Sequence, residues 1–149
     1  VEADPERYFY PNQYGNEANP KAHTLTTAPE IWEQTHGRVT HFVAGIGTSG
    51  TVMGTGRGLR AKNPAIEVWA VEPDDALHGL EGLKHMASSL VPEIYHVGEL
   101  TGVIPMPTDE AWDVCDRLSQ EEGLLVGHSS GGNVAGALRI GRRLVEQKK

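Results

Sequence analysis

Hydroxyl side chains alternate with glycines in one short stretch of the chain, residues 45–51, which has the sequence GIGTSGT. A largely apolar, β-branched run at residues 39–44 precedes it and predicts a strand, and a helix is expected to start near Thr51. Glycine lets backbone N–H groups crowd around an anion, and the helix N-terminus directs unsatisfied donors and a positive dipole end at the same point. The stretch therefore predicts a phosphate-binding loop.

The kind of phosphate is open at this point, because residues 45–50 also spell the dinucleotide pattern G-x-G-x-x-G. The next predicted strand ends at Glu72, about 20 residues past the last glycine, where an acid would meet the ribose hydroxyls of a nicotinamide cofactor. The hydroxyls of Thr48, Ser49 and Thr51 favour a terminal monophosphate, which has more acceptor oxygens to satisfy than a bridging pyrophosphate. A turn that uses glycine only for tight geometry is a further interpretation.

Four segments in order along the chain carry a more specific signal: residues 13–20 with 26–32 (QYGNEANP and TTAPEIW), 47–51 (GTSGT), 70–73 (AVEP) and 122–131 (EGLLVGHSSG). Together they resemble the cysteine synthase and cystathionine β-synthase family of fold type II pyridoxal-phosphate enzymes, and they cover nearly the whole chain. The resemblance makes Glu72 a strand-end residue rather than a ribose ligand. A Rossmann-type NAD(P)-binding domain of an oxidoreductase becomes the alternative interpretation.

The resemblance implies roles for particular residues. The cofactor is expected to be pyridoxal 5'-phosphate, and its phosphate would be held by Gly47, Thr48, Ser49, Gly50 and Thr51. Ser129 would hydrogen-bond the pyridine nitrogen. Gln13, Tyr14 and Gly82 would lie on the substrate side. Plainer interpretations are that Ser129 caps the following helix and that Tyr14 is an ordinary core residue.

The expected reaction is β-replacement on a serine derivative, O-acetylserine or O-phosphoserine, with sulfide to give cysteine. A neutral hydroxyl at the ring nitrogen leaves the ring less electron-withdrawing than a carboxylate would, which favours elimination chemistry. The dehydratase relatives have fewer hydroxyls in the loop, which also favours replacement. Lys84 could favour a phosphorylated donor, or could be an ordinary surface lysine.

Residues 127–131 (GHSSG) are also a formal G-x-S-x-G, the nucleophile elbow of α/β-hydrolases. Such an enzyme needs its acid and then its histidine downstream of the serine. After Gly131 the sequence has Glu146 as its one acid and contains no histidine, so the triad cannot close within this sequence.

Composition limits the function classes. The formal net charge is -7, and basic residues cluster only near the C-terminus, which argues against a nucleic-acid partner. The single cysteine, Cys115, excludes an internal disulfide and suits a reducing compartment; its helical spacing predicts a core position against the sheet. The seven histidines show no metal-ligand spacing, so no metal is expected. No membrane span is expected either, and the family suggests a cytoplasmic homodimer.

Alternating strand and helix signals predict an α/β fold, with residues 1–149 forming a single domain. The expected architecture is a three-layer sandwich with a mostly parallel sheet, similar to the large cofactor-binding domain of the fold type II enzymes. Predicted strands cover residues 39–44, 66–71, 103–104 and 124–126. The first predicted helix has a capping box at residues 27–30, inside it or at its start, and is ended by Gly37. The others run from near Thr51 to Arg60, over residues 109–120 behind an N-cap at Thr108, and over residues 132–146.

The family's Schiff-base lysine has no counterpart in this sequence. The lysines lie in no matching motif: Lys21, Lys62, Lys84, Lys148 and Lys149. The family's T-S-G-N-type loop, which binds the substrate carboxylate, is absent as well. We therefore assign no catalytic residue to this chain, interpret it as the C-terminal portion of the enzyme, and expect it to be inactive by itself.

Overall fold

The computed structural model of the chain describes Asp4 and residues 6–147, so the outermost residues of the predicted domain lie outside the described part. Three parallel strands form a sheet in the order β1 (His41–Gly45), β2 (Glu67–Pro73) and β3 (Gly102–Met106). Parallel strands point the same way, so their carboxyl ends and the loops that follow them share one edge of the sheet. Gly45 at the end of β1 lies opposite Val71 of β2.

Five helices cover the two faces of the sheet in the described part of the chain. They are α1 (Ala18–Leu25), α2 (Thr27–Gln34) and α3 (Gly50–Lys62) on one face, and α4 (Thr108–Glu122) and α5 (His128–Glu146) on the other. Successive side chains of β2 alternate between the layers: Val68 and Ala70 pack with the first set of helices, and Val71 packs with the second. The predicted α/β fold with a parallel sheet between helical layers is confirmed.

One predicted strand is wrong. Residues 124–126 form an irregular connection between α4 and α5 and pair with none of the three described strands. Leu125 in this segment is 88% exposed. Three apolar residues cannot hold a strand without a neighbour to take their backbone hydrogen bonds, and the described sheet provides none here.

Two threonines predicted to cap helices instead link different elements. The N-cap of α4 is Pro107, and the Thr108 hydroxyl accepts a hydrogen bond from the Gly79 N–H at 2.9 Å. Helix α2 begins at Thr27 without a side-chain cap, and the Thr27 hydroxyl contacts a ring nitrogen of His23. The two threonine hydroxyls make these contacts with other elements in place of capping bonds to their own helices. Both helices still start within a residue of the expected positions.

Two other features, the end of α2 and the burial of Cys115, agree with the sequence predictions. Gly37 ends α2 with a positive φ of 69°, and its N–H bonds back to the Trp32 carbonyl. Cys115 is buried as predicted, but its surroundings differ. It packs against Gly131 of α5, and its thiol lies 3.2 Å from the Val126 carbonyl, because α5 lies over this part of α4.

The connection from β2 to β3 is long and contains a single short 3-10 turn, Val97–Glu99, among its described residues. The Arg57 guanidinium of α3 fixes that turn by a two-pronged ion pair with the Glu99 carboxylate, at 2.8 and 2.9 Å. The hydrogen bonds from this guanidinium hold the pKa of the Glu99 carboxyl below its usual value. This pair attaches one end of the connection to α3.

Helix α3 packs closely against α1 at Gly54, which has no side chain. A Cβ at Gly54 would fall 2.9 Å from the His23 Cβ and would collide with the Pro20 carbonyl oxygen. The two helix backbones can approach this closely only because residue 54 has no side chain. This approach sets the position of every α1 side chain that reaches the start of α3.

Replacing Gly54 with Ala should therefore lower the free energy of unfolding by about 1 to 3 kcal/mol, since a buried methyl group would force the helices apart. Gly141→Ala is the matched control, because in the described part of the chain no atom beyond the adjacent residues and the helix's own backbone lies within 4 Å of the new methyl group there. That change should add about 0.5 to 1 kcal/mol through helix propensity. Urea unfolding followed by circular dichroism measures both. Equal stabilisation by the two substitutions would contradict the close contact.

Candidate functional site

The predicted phosphate loop lies between the end of β1 and the start of α3, as expected from the sequence. Ser49 is the N-cap residue of α3 and has left-handed backbone dihedrals, with φ at 73°. This conformation costs a residue with a side chain roughly 1 to 2 kcal/mol. The Ser49 hydroxyl is also buried, at 2% exposure for the residue, and has no hydrogen-bond partner in the described part of the chain. Such a group needs a partner, and an anion with several acceptor oxygens would supply one.

Asn19 of α1 holds one side of the loop. Its amide nitrogen donates to the Thr48 hydroxyl at 3.1 Å and to the Gln13 carbonyl at 2.8 Å. A Cβ at Gly50 would collide with the Asn19 amide, so the glycine leaves the space that this side chain fills. One amide therefore connects the loop with the segment that contains the predicted substrate residues.

A second segment, residues 79–86, packs on the other side of the loop. The Lys84 N–H donates to the Ile46 carbonyl at 2.8 Å, and the Gly82 carbonyl oxygen would lie 2.7 Å from a Cβ at Gly47. Gly82 itself has a φ of 87°, a conformation that favours glycine. The structure thus brings Gly82 next to the loop, as its predicted substrate-side position requires.

Glu72 anchors this second segment. Its Oε1 accepts a hydrogen bond from the Met86 N–H at 2.9 Å. Burial raises the pKa of the Tyr95 hydroxyl, and the Glu72 charge raises it further. The Glu72 carboxylate, which could have contacted a ribose, instead accepts a hydrogen bond from the backbone of residues 79–86. This contact fits the interpretation of Glu72 as a strand-end residue.

Tyr14 and Lys84 meet across the site. The Lys84 ammonium lies 4.9 Å from the centre of the Tyr14 ring, within the range of a cation–π contact. Tyr14 is half-buried and its carbonyl accepts from the Ile94 N–H at 3.3 Å, whereas Gln13 is exposed. The predicted substrate residues therefore surround the loop, and their roles stay predictions.

Ser129 lies at the start of α5, on a neighbouring element. The N-cap of that helix is Gly127 and no side chain caps it, so Ser129 does not have the capping role considered above. One turn further along, the Asn133 Oδ1 lies 3.0 Å from the position of a Cβ at Gly45. Residues four apart share a helix face, so Ser129 lies on the face that Asn133 turns toward the end of β1.

Sequence reasoning missed Asn133 and His23. The Asn133 Oδ1 is buried without a hydrogen-bond partner among the described residues. A lone amide among the small residues at the start of α5 could have indicated it. His23 contacts the hydroxyls of Thr27 and Thr51, at 2.9 and 3.3 Å. The i, i+4 spacing of His23 and Thr27 could have indicated the first contact. The second contact joins residues 28 positions apart, and no sequence pattern indicates it.

Other kinds of site find no support in the structure. Within residues 6–147, no group of three or more His, Cys, Asp or Glu side chains is placed to bind a metal ion. In the same part of the chain, no helix is long and apolar enough to cross a membrane. Residues 124–126 do not form the strand that a hydrolase elbow requires, and the His128 ring stacks on Trp112 with centres 4.6 Å apart.

Comparisons with known proteins identify the family of this chain. The model of the family described as "Pyridoxal-phosphate dependent enzyme" matches residues 1–149. A cysteine synthase from Aquifex aeolicus is 46% identical over 147 residues, which is 99% of this chain and 45% of that protein. Cysteine synthase B from Pseudomonas aeruginosa is 42% identical over 133 residues, covering 89% of this chain and 44% of that protein.

Solved structures show the same likeness. The crystal structure of cysteine synthase from Entamoeba histolytica superposes with a TM-score of 0.82 at 35% identity, and covers 90% of this chain and 41% of that one. The chain thus spans less than half the length of the relatives it matches. The resemblance to cysteine synthases is confirmed, and these matches give no support to the nicotinamide alternative. On the sequence of its loop, its fold and these matches, the chain belongs to the family of pyridoxal-phosphate dependent enzymes.

Proposed function

We propose that this chain forms the phosphate-binding part of an enzyme that makes cysteine by β-replacement on a serine derivative. The observation that carries the proposal is the buried, unpartnered Ser49 hydroxyl in a glycine-rich loop at the start of α3. A phosphate oxygen would satisfy this hydroxyl, and the N-terminal N–H groups and dipole of α3 favour a dianion at the same point. The residues present therefore fit the cofactor.

Each residue has a proposed task toward pyridoxal phosphate. The cofactor, when bound, supplies an electron sink for loss of a group from the β-carbon of the substrate. The phosphate is held by Gly47, Thr48, Ser49, Gly50 and Thr51. The Ser129 hydroxyl donates to the pyridine nitrogen, and Gln13, Tyr14 and Gly82 contact the substrate. Their arrangement around one loop supports this assignment.

The donor is proposed to carry a group that is already negatively charged before it leaves. The Lys84 ammonium lies over the Tyr14 ring, and the Lys84 backbone is fixed to the loop through Ile46. A cation held there can bind phosphate oxygens as a point charge. We therefore favour O-phosphoserine over O-acetylserine, with sulfide as the second substrate.

We also propose, from the family resemblance, that the active enzyme is a cytoplasmic homodimer. A single cysteine and a net charge of -7 suit a reducing, soluble environment. Sedimentation of the holoenzyme at several concentrations tests the oligomeric state.

The phosphate site is tested by Ser49→Gly. Glycine accepts the left-handed conformation and removes the unpartnered hydroxyl, so the unliganded chain should gain about 1 kcal/mol of stability. The same change should weaken pyridoxal phosphate about tenfold, because it removes a hydrogen bond to a charged group. Urea unfolding and equilibrium dialysis provide the two measurements.

Ser119→Gly, on α4 and away from the loop, is the matched control for that test. It should lower stability by about 0.5 kcal/mol through helix propensity and leave cofactor affinity unchanged. The proposal fails if Ser49→Gly leaves the affinity unchanged, or if the chain binds a nicotinamide dinucleotide in place of pyridoxal phosphate.

We expect the 149-residue chain to bind the cofactor without using it. Lys21 and Lys62 are exposed, and Lys84 is proposed to face the leaving group of the donor, so none of these three is placed as a Schiff-base lysine. Borohydride reduction with pyridoxal phosphate followed by peptide mapping should label no single lysine stoichiometrically. No cysteine should form from a serine donor and sulfide. Stoichiometric labelling of one lysine together with cysteine formation would contradict this expectation.

The donor preference is tested in an active enzyme that contains this chain. Lys84→Met should lower kcat/KM for O-phosphoserine about tenfold, by loss of a charge-assisted contact, and should affect O-acetylserine far less. Lys62→Met, at the exposed end of α3, is the control and should change neither value. An equal decrease for both donors would remove the argument for a phosphorylated donor.

A further inference from the structure

His23 connects three helices through both of its ring nitrogens. It lies in the last turn of α1, half-buried, and its Cβ faces Gly54 of α3. Nδ1 lies 2.9 Å from the Thr27 hydroxyl at the start of α2, and Nε2 lies 3.3 Å from the Thr51 hydroxyl in the first turn of α3. Thr51 belongs to the loop that is proposed to hold the cofactor phosphate.

With a neutral His23 ring, the hydrogen bonds to Thr27 and Thr51 can be arranged in two ways, which differ in the ring nitrogen that carries the proton. A neutral imidazole has one N–H donor and one acceptor nitrogen, and each threonine hydroxyl has a single proton to donate. If Nδ1 carries the proton, it donates to Thr27, and Thr51 must donate its own proton to Nε2. If Nε2 carries the proton, Thr27 donates to Nδ1, and Nε2 donates to the oxygen of Thr51.

Only the second state leaves the Thr51 proton free. In the first state the Thr51 hydroxyl can present only lone pairs to its surroundings, which repel an anion. In the second state the Thr51 hydroxyl accepts a hydrogen bond from Nε2 and can donate its own proton to a phosphate oxygen. Successive hydrogen bonds then run in one direction, from Thr27 to His23, from His23 to Thr51 and from Thr51 to the anion. A bound phosphate therefore favours the state with the proton on Nε2.

We infer that His23 is a positioning residue for the phosphate site: its Nε2–H orients the Thr51 hydroxyl as a donor to the anion. The inference rests on the proposed function, because the anion is the cofactor phosphate. His23 itself need not touch the cofactor. Thr27, which was predicted only to open a helix, acts as the outer donor that fixes the tautomer.

The direct test is nitrogen NMR of the imidazoles in the 149-residue chain, in alkaline buffer, with inorganic phosphate, pyridoxal phosphate or pyridoxal added. Saturation with either phosphate compound should shift the His23 Nε2 signal toward the protonated form and the Nδ1 signal toward the unprotonated form. Pyridoxal, which lacks the phosphate, should not produce the shift. His36, which is exposed at the end of α2, is the internal control and should not respond.

Substitutions give a second, independent test. In His23→Gln the amide nitrogen can occupy the place of Nε2 and donate to Thr51, so affinity for pyridoxal phosphate should be largely retained. In His23→Asn the shorter amide reaches only the side of Thr27, and the affinity should decrease about tenfold. His23→Leu should behave like His23→Asn. In a Thr51→Val background, none of these changes should weaken binding further.

The outcomes separate this inference from the function on which it rests. Phosphate binding with unmoved His23 signals, or equal loss in the Gln and Asn variants, would overturn the positioning role alone. A purely structural His23 would lower stability in all three variants without any dependence on Thr51. Failure of the unchanged chain to bind either phosphate compound would overturn the phosphate site itself, and the role of His23 with it.

Discussion

The close approach of α1 to α3 is the constraint on which the site depends. Gly54 permits the approach, because the Pro20 carbonyl occupies the space where any other residue would have its Cβ. Gly50, one turn earlier on the same face, leaves space for the Asn19 amide. With larger residues at these positions α1 would move outward, and neither Asn19 nor His23 could reach the loop. The position of α1, which has little apolar surface, therefore depends on the glycines at positions 50 and 54 of α3.

Residues 79–86, on the second side of the site, are held by hydrogen bonds as well as by packing of the buried Leu80. Residues 79–86 have no regular structure, so their backbone groups need partners outside the segment. Glu72, Thr108 and the Ile46 carbonyl supply them at the end of β2, the start of α4 and the start of the loop. All three lie near the carboxyl edge of the parallel sheet. An irregular segment is thereby held beside the phosphate loop by groups that the sheet edge brings together.

The conformation and burial of Ser49 are the physical basis for proposing that this loop binds an anion. A left-handed serine with a buried, unpartnered hydroxyl is unfavourable in the unliganded chain for two separate physical reasons. A bound anion relieves the second and leaves the first. Strained residues with unsatisfied polar groups are concentrated at binding sites, because the ligand supplies the missing partner. The buried Asn133 oxygen near Gly45 also has no hydrogen-bond partner among the described residues, although its backbone is helical.

The sequence by itself predicted the parallel sheet between helical layers, most of the helices, the glycine-rich loop between β1 and α3, and the family. It did not predict α1 as a separate helix. The predicted features depend on local patterns such as the β-branched run before GIGTSGT, the glycine that ends α2 and the alternation of strand and helix signals, all of which are encoded within short stretches. The tertiary structure decided the rest. The contact of Thr108 with Gly79 and the contact between His23 and Thr51 join groups that lie 29 and 28 residues apart in the chain. The exposure of residues 124–126 likewise depends on which strands the sheet contains. Hydrogen-bond partners and neighbouring strands exist only after the elements have packed, so no local pattern could have specified them.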